Sequence, residues 1–405
     1  MMDMSTSSDD SLPSTPLSPS SLAGDCCDGI VTPGTSTPPS EEKRTEPFVR
    51  IPDMFISIMS TEARVNVHYE KLKQERDAWI ADMMNQDSTW AARNSKVDLA
   101  YLACIWSPDA SQEDMRIIMD WNHWVFLFDD QFDEGHLRSD PVAAAEECDE
   151  NMAILEQTDD DLYSNSHRLI RREDNPIQWV FQDIWHRLRK RSCEEMQRHW
   201  KFTHRRYFDG LVEQARLEKE GTTRDITVEE YMNLRTLTIG VYPAIALTEF
   251  GFGIWVPDEV FHHPSIQKCM RLSAEMAVLV NDITSYRKDI NLGVDLNIFR
   301  CLMNKPVEGS FSGYYTGQQV MDAVGQMSHE CYRSWYLALA DLPYWDEETD
   351  RAALKFVDAC KNVALGNLYW SFRTGRYFGQ SHGREVRDTR ILWLTQSENS
   401  DIETL

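Results

Sequence analysis

From about residue 47 onward the chain repeats one pattern: apolar residues stand three and four positions apart, as in VNVHYEKLKQERDAWIADMM (65–84) and EDMRIIMDWNHWVFLF (113–128). That spacing puts the apolar side chains on one face of a helix. Short breakers such as SPDASQED (107–114) and REDNP (172–176) separate the periodic runs, as helix ends and caps do. Strand-like alternation, Asn-Gly hairpins and internal repeats are missing, so the pattern predicts an all-α fold. No linker-like stretch divides it, and we read residues 47–392 as a single helical domain. Residues 1–46 are rich in Ser, Thr, Pro and Asp and poor in apolar residues, which predicts a disordered tail. Residues 393–405 read as a polar C-terminal tail.

Two helical stretches depart from the plain pattern. In LRTLTIGVYPAIAL (234–247), Gly240 and Pro243 interrupt an apolar run, which predicts a kink or break there. In WVFLFDDQFDE (124–134), five apolar residues lead directly into Asp129, Asp130 and Asp133. Positions four apart share a helix face, so Asp129 and Asp133 point the same way with Asp130 beside them. Crowded carboxylates repel unless a cation binds them. The segment QTDDDLY, with Asp159, Asp160 and Asp161, has no apolar helix leading to it and reads as a loop.

A later apolar stretch, Met276 to Val280, delivers LVNDITSYRKD. Asn281, Ser285 and Asp289 are spaced four and four, which keeps an amide, a hydroxyl and a carboxylate on one face. Such hard oxygen donors suit Mg²⁺, which is commonly held by one or two carboxylates plus phosphate oxygens. A network of helix-end caps is the other reading of the same spacing. Arg287 and Lys288 adjoin it, and Arg235 and the Arg376-Tyr377 pair sit on apolar helices elsewhere. Arg is suited to bidentate phosphate contacts, and Tyr adds a hydroxyl donor.

Charge and cysteine usage narrow the field. The net charge is −25, from 66 acids against 41 Lys and Arg, which repels nucleic acid and anionic lipid surfaces. Nine scattered cysteines without a CxxC pair indicate neither a disulfide framework nor a structural zinc site. With neither a signal peptide nor a membrane-length apolar run, the expected compartment is the cytoplasm.

These motifs together resemble the class I terpene cyclases, in particular fungal and microbial sesquiterpene synthases related to pentalenene synthase and the protoilludene-type enzymes. Their aspartate-rich motif DDxx(D/E) is matched by Asp129 to Asp133 and their NDxxSxxxE motif by Asn281 to Asp289. Their diphosphate-sensing Arg is matched by Arg235, their late Arg-Tyr pair by Arg376-Tyr377, and a diphosphate-contacting Lys by Lys288. The likeness runs from FVRIPDMF, near residue 47, to about Gly379. One position departs, since Asp289 stands where the family has Glu and its carboxylate reaches one methylene less.

The resemblance implies a single α-helical barrel and a carbon–oxygen lyase that ionises farnesyl diphosphate, releases diphosphate and cyclises the carbocation. It implies three Mg²⁺ ions, held by Asp129, Asp130 and Asp133 on one side and by Asn281, Ser285 and Asp289 on the other. Arg235, Lys288, Arg376 and Tyr377 would bind the diphosphate. Phe126, Trp370 and Tyr369 would point from the metal rim into the cavity, where aromatic faces stabilise cations; Trp121, Trp124 and Phe128 read as core. The break at Thr238 to Gly240 would aim a backbone carbonyl at the cation. The alternatives are a geranylgeranyl diphosphate cyclase and an impaired prenyl-diphosphate-binding protein. A prenyl diphosphate is the expected partner, with no nucleic acid, no stable membrane association, and a monomer or homodimer as the assembly.

Overall fold

The computed structural model describes residues 48–394 apart from 159, 162–168, 293, 295 and 305–314. The predicted tails, apart from Trp393 and Leu394, lie outside the described residues. The helices, in chain order, are α1 (Tyr69–Met83), α2 (Ser88–Val97), α3 (Leu99–Trp106), α4 (Gln112–Asp133), α5 (Pro141–Ile154), α6 (Pro176–Arg189), α7 (Glu194–Glu220) and α8 (Val228–Thr238). They continue with α9 (Val241–Gly251), α10 (Asp258–Phe261), α11 (Pro264–Leu292), α12 (Ile298–Met303), α13 (Gly317–Ala340), α14 (Glu347–Ser371) and α15 (Gln380–Thr389).

The breakers act as caps. Ser111, in SPDASQED, accepts from the Asp114 amide and starts α4; Asn175, in REDNP, accepts from the Gln178 amide with Pro176 at the first helical position of α6. Each satisfies an amide that the first helical turn leaves unpaired. Thr227 and Glu230 form a reciprocal capping box at the start of α8, which fixes where the helix carrying Arg235 begins.

The helices wrap round a shared interior. α11 packs against α14, α13 and α8, α3 lies against α14 and α4, and α7 against α5, α8 and α9. The WVFLF run anchors α4: the Trp124 ring stacks on Phe181 of α6 at 4.1 Å and on Phe128 at 4.9 Å. Phe128 in turn packs on Phe208 of α7. Each buried aromatic removes 150 to 250 Å² from water, so this cluster fixes the helix firmly. The acids that follow it are held in place by that packing.

Among the described residues two elements are not helical. Strands β1 (Phe48–Arg50) and β2 (Ile391–Trp393) pair antiparallel, with Phe48 opposite Trp393. Three-residue strands are too short to show alternation. They tie the first described residues to the last, and β2 crosses the expected boundary at residue 392.

The predicted interruption of the 234–247 run is a complete break. α8 ends at Thr238, Gly240 takes φ 73°, and α9 starts at Val241. Glycine makes the break, because it occupies that conformation without a Cβ penalty. Pro243 falls in the first turn of α9, where the missing N–H would have had no intrahelical acceptor. Asp160 and Asp161 of QTDDDLY are helical rather than loop, with Asp161 accepting from the Thr158 amide and hydroxyl. Asp159 lies outside the described residues.

Candidate active site

The C-terminal turn of α4, the break between α8 and α9, the second half of α11 and the end of α14 enclose a cavity of about 360 Å³. That is within the usual range for a small-molecule site. Asp129, Asp133, Asn281, Ser285, Asp289, Arg235, Lys288, Arg376 and Tyr377 all line it, so residues scattered over some 250 positions meet at one rim.

The aspartate-rich turn is held from α7. The Tyr207 hydroxyl donates to Asp129 at 3.0 Å and the Gln214 amide to Asp133 at 3.1 Å. Burial, then the neighbouring Asp133, pushes the Asp129 carboxyl well above the usual range. A like charge nearby disfavours the ionised form, and Arg235 acts in the opposite direction. Asp130 is not part of the lining; it pairs with Arg376 at 3.5 Å.

Across the cavity, the Asn281 amide donates to the Tyr377 hydroxyl at 2.7 Å and its oxygen faces the Arg235 guanidinium at 3.5 Å. Ser285 donates to Asp289 at 2.6 Å, and Asn297 donates to the same carboxylate oxygen at 2.8 Å. The Asn297 oxygen also caps α12 by accepting from the Phe299 amide. Asp282, between the motif positions, does not line the cavity. Its carboxylate accepts from the Tyr231 hydroxyl and the Ile298 amide, and burial pushes its pKa up to about 7. It therefore braces α11 against α8 and α12.

Arg235, Lys288 and Arg376 share the rim with Arg138, which pairs with Glu218 at 3.6 Å. Arg235 donates to Thr238 at 3.0 Å beside the helix break. Burial, then the nearby Arg376, holds the Lys288 ammonium below the usual lysine range, with Glu134 3.8 Å away. Arg376 lies 5.6 Å above the Phe126 ring. Arg287, expected beside Lys288, does not line the cavity.

Below the rim the lining turns apolar. Phe126 and Trp370 both line it and meet edge to face at 5.5 Å. The Trp370 indole N–H is tied to the Val97 carbonyl at 2.8 Å. Tyr369 points elsewhere, its hydroxyl reaching the Thr61 carbonyl, because neighbours on a helix do not share a face. Trp124 and Phe128 are core, as expected, whereas Trp121 is both fully buried and part of the lining. Leu102 and Trp106 of α3, together with Asn122 and Asn367, complete the lower wall. Nothing in the sequence marked these, nor Tyr207, Gln214 and Asn297, because each is an ordinary residue on an amphipathic run until the helices meet. Thr238, Ile239 and Gly240 of the break also line the cavity.

The family described as "Terpene synthase family 2, C-terminal metal binding" matches residues 120–334, a stretch that includes both acidic motifs. A (+)-eremophilene synthase of Gibberella fujikuroi is 40% identical over 86% of this chain and 94% of that protein. A (1R,4R,5S)-(-)-guaia-6,10(14)-diene synthase of Fusarium proliferatum is 42% identical over 85% of this chain and 84% of that protein. Among solved structures, an a-eudesmol synthase superposes with a TM-score of 0.64 at 23% identity, covering 77% of this chain and 96% of that one; that likeness concerns the fold.

Proposed function

This chain belongs to the metal-binding terpene synthases, and from that membership we propose that it is a sesquiterpene cyclase acting on farnesyl diphosphate. The observation that carries the reading is the division of the cavity. Acids and cations for a metal–diphosphate group line the rim, and an apolar, aromatic chamber lies directly beneath.

The donors fit Mg²⁺. Asp129, Asp133, Asn281, Ser285 and Asp289 offer only carboxylate, amide and hydroxyl oxygens, the hard ligands this ion prefers. Among the described residues no three acidic, His or Cys side chains converge on one point. Such a divided set suits ions completed by diphosphate oxygens, and we assign three, with Asp130 assisting through its pairing with Arg376. When bound, the ions neutralise the diphosphate and make it a competent leaving group.

The chain's own residues then do the following. Arg235, Lys288, Arg376 and Tyr377 donate to the diphosphate oxygens and fix the allylic C–O bond at the rim. No general base is needed to start the reaction, because ionisation only requires the leaving group to be stabilised. Phe126 and Trp370 present aromatic surface to the cation, which a desolvated ring stabilises by about 2 kcal/mol. Gly240 sets the break that brings the Thr238 to Gly240 backbone to the cavity wall.

We place the protein in the cytoplasm. The seven described cysteines are free, and no described helix is long and apolar enough to cross a membrane.

Asp129→Asn tests the reading at its centre. It removes one charge while leaving an acceptor for Tyr207, so release of diphosphate from farnesyl diphosphate should fall below detection with the melting temperature kept. Wild-type turnover in that variant would show the acidic turn to be dispensable.

A further inference from the structure

The chamber beneath the rim contains a polar group that the reading above does not use. Along α4, Asn122, Phe126, Asp129 and Asp133 all line the cavity, a spacing of four, three and four that defines one helix face. Asn122 stands seven residues before Asp129, so it lies about 10 Å deeper at 1.5 Å per residue.

The Asn122 side chain is fully buried. Its amide N–H donates to the Leu99 carbonyl of α3 at 2.7 Å, which fixes which end is nitrogen and which is oxygen. The oxygen has no hydrogen-bond partner. A buried acceptor left unpaired costs about 1–3 kcal/mol and calls for an explanation. Asn367 of α14 lines the same cavity, and its amide N–H donates to the Ala277 carbonyl of α11 at 3.0 Å.

Other buried unpaired polar atoms on lining residues are Trp106 Nε1, Gln214 Oε1 and Arg235 Nε. Gln214 belongs to the rim, through its bond to Asp133, as does Arg235, beside Asn281. Trp106 Nε1 is a donor, whose positive end a cation avoids. Asn122 therefore supplies the unengaged acceptor of the lower chamber.

Resting on the cyclase reading, we propose that the Asn122 carbonyl oxygen, assisted by Asn367, is a catalytic group that stabilises positive charge at the deep end of the cavity. Each ring closure moves the charge from the carbon that lost diphosphate to one further along the prenyl chain, and so from the rim towards Asn122. A fixed carbonyl dipole aimed at developing charge in a water-poor site needs no reorganisation when the charge arrives. It favours the cations that sit against it over those that do not, which selects among products.

The test compares full-length wild type, Asn122→Leu, Asn122→Gln and Asn367→Leu with farnesyl diphosphate and Mg²⁺, measuring hydrocarbon products and diphosphate release together. Asn122→Leu should keep releasing diphosphate while the ratio of the main product to the early-terminated ones falls about tenfold, the ratio that about 1.4 kcal/mol produces. Asn122→Gln, which keeps the amide but moves its oxygen by one methylene, should also redistribute the products. Asn367→Leu should do so without disturbing the α4–α3 tie, and it decides the matter if Asn122→Leu does not fold. Products in wild-type proportions from the folded variants, with every rate scaled alike, would reduce these asparagines to helix ties and overturn the proposal. Absence of any Mg²⁺-dependent terpene from the wild type would overturn the cyclase reading instead.

Discussion

At the residue scale, Asp289 shows how a departure from the family pattern is accommodated. Its carboxylate is one methylene shorter than the usual Glu, and the structure holds it with two donors, Ser285 at 2.6 Å and Asn297 at 2.8 Å. Asn297 also caps α12 and donates to the Asp282 carbonyl, so one side chain sets both the Asp289 carboxylate and the helix beyond it. Asn297→Ala should lower stability by about 1 kcal/mol through loss of the cap. It should also raise the Mg²⁺ concentration at which pyrophosphate increases the melting temperature. An unchanged Mg²⁺ midpoint would show that Asn297 does nothing for Asp289. The aspartates and the Arg-Tyr pair were legible in the sequence because their chemistry is conspicuous on apolar helices. Tyr207, Gln214 and Asn297 were not, since a side chain that orients an acid through space leaves no spacing along the chain.

At the element scale, the position of α4 is fixed by a buried histidine. His204 of α7 donates through Nδ1 to the Trp200 carbonyl at 2.9 Å and accepts at Nε2 from the Trp121 indole at 3.1 Å. Accepting at Nε2 requires the neutral ring, and burial lowers its pKa from 6.5 to about 3. Between those values the unfolded chain binds a proton that the folded chain does not, so stability falls as pH drops below 6.5 and is intact above it. Wild type should lose about 1.4 kcal/mol per pH unit more than His204→Gln over that window. Equal slopes in denaturant melts from pH 6.5 to 5 would contradict this.

The break between α8 and α9 belongs to the same scale. A Cβ at Gly240 would meet Val125 at an ordinary 3.6 Å, so the objection to alanine there is the positive φ, worth about 1 kcal/mol. Gly240→Ala should fold, melt slightly lower and alter the product mixture or the rate by shifting the Thr238 to Gly240 backbone. An unchanged product profile would remove the break from the mechanism. The interruption was visible in the sequence, but which residue makes it was not, because Pro243 is harmless in a first turn.

For the whole molecule, the 405-residue chain carries a net charge of −25, yet Arg235, Lys288 and Arg376 gather at the mouth of one cavity. The helical class followed from periodicity and from the breakers that act as caps, whereas the barrel came from the resemblance to the terpene cyclases. The clasp of β1 and β2 did not, because three residues carry no period. The lower wall of the chamber was equally hidden: Trp121 satisfies a core pattern and lines the site at once, and Tyr369 and Trp370 differ in face by a single position.

The proposed cyclase uses the two acidic motifs to hold the metal–diphosphate end of farnesyl diphosphate at the rim. Purified protein incubated with that substrate, with and without Mg²⁺, should yield a cyclic sesquiterpene and free diphosphate only when Mg²⁺ is present. Turnover of geranylgeranyl diphosphate alone would move the substrate assignment, and no product from either, with diphosphate bound but not released, would contradict catalysis and leave a prenyl-diphosphate-binding protein.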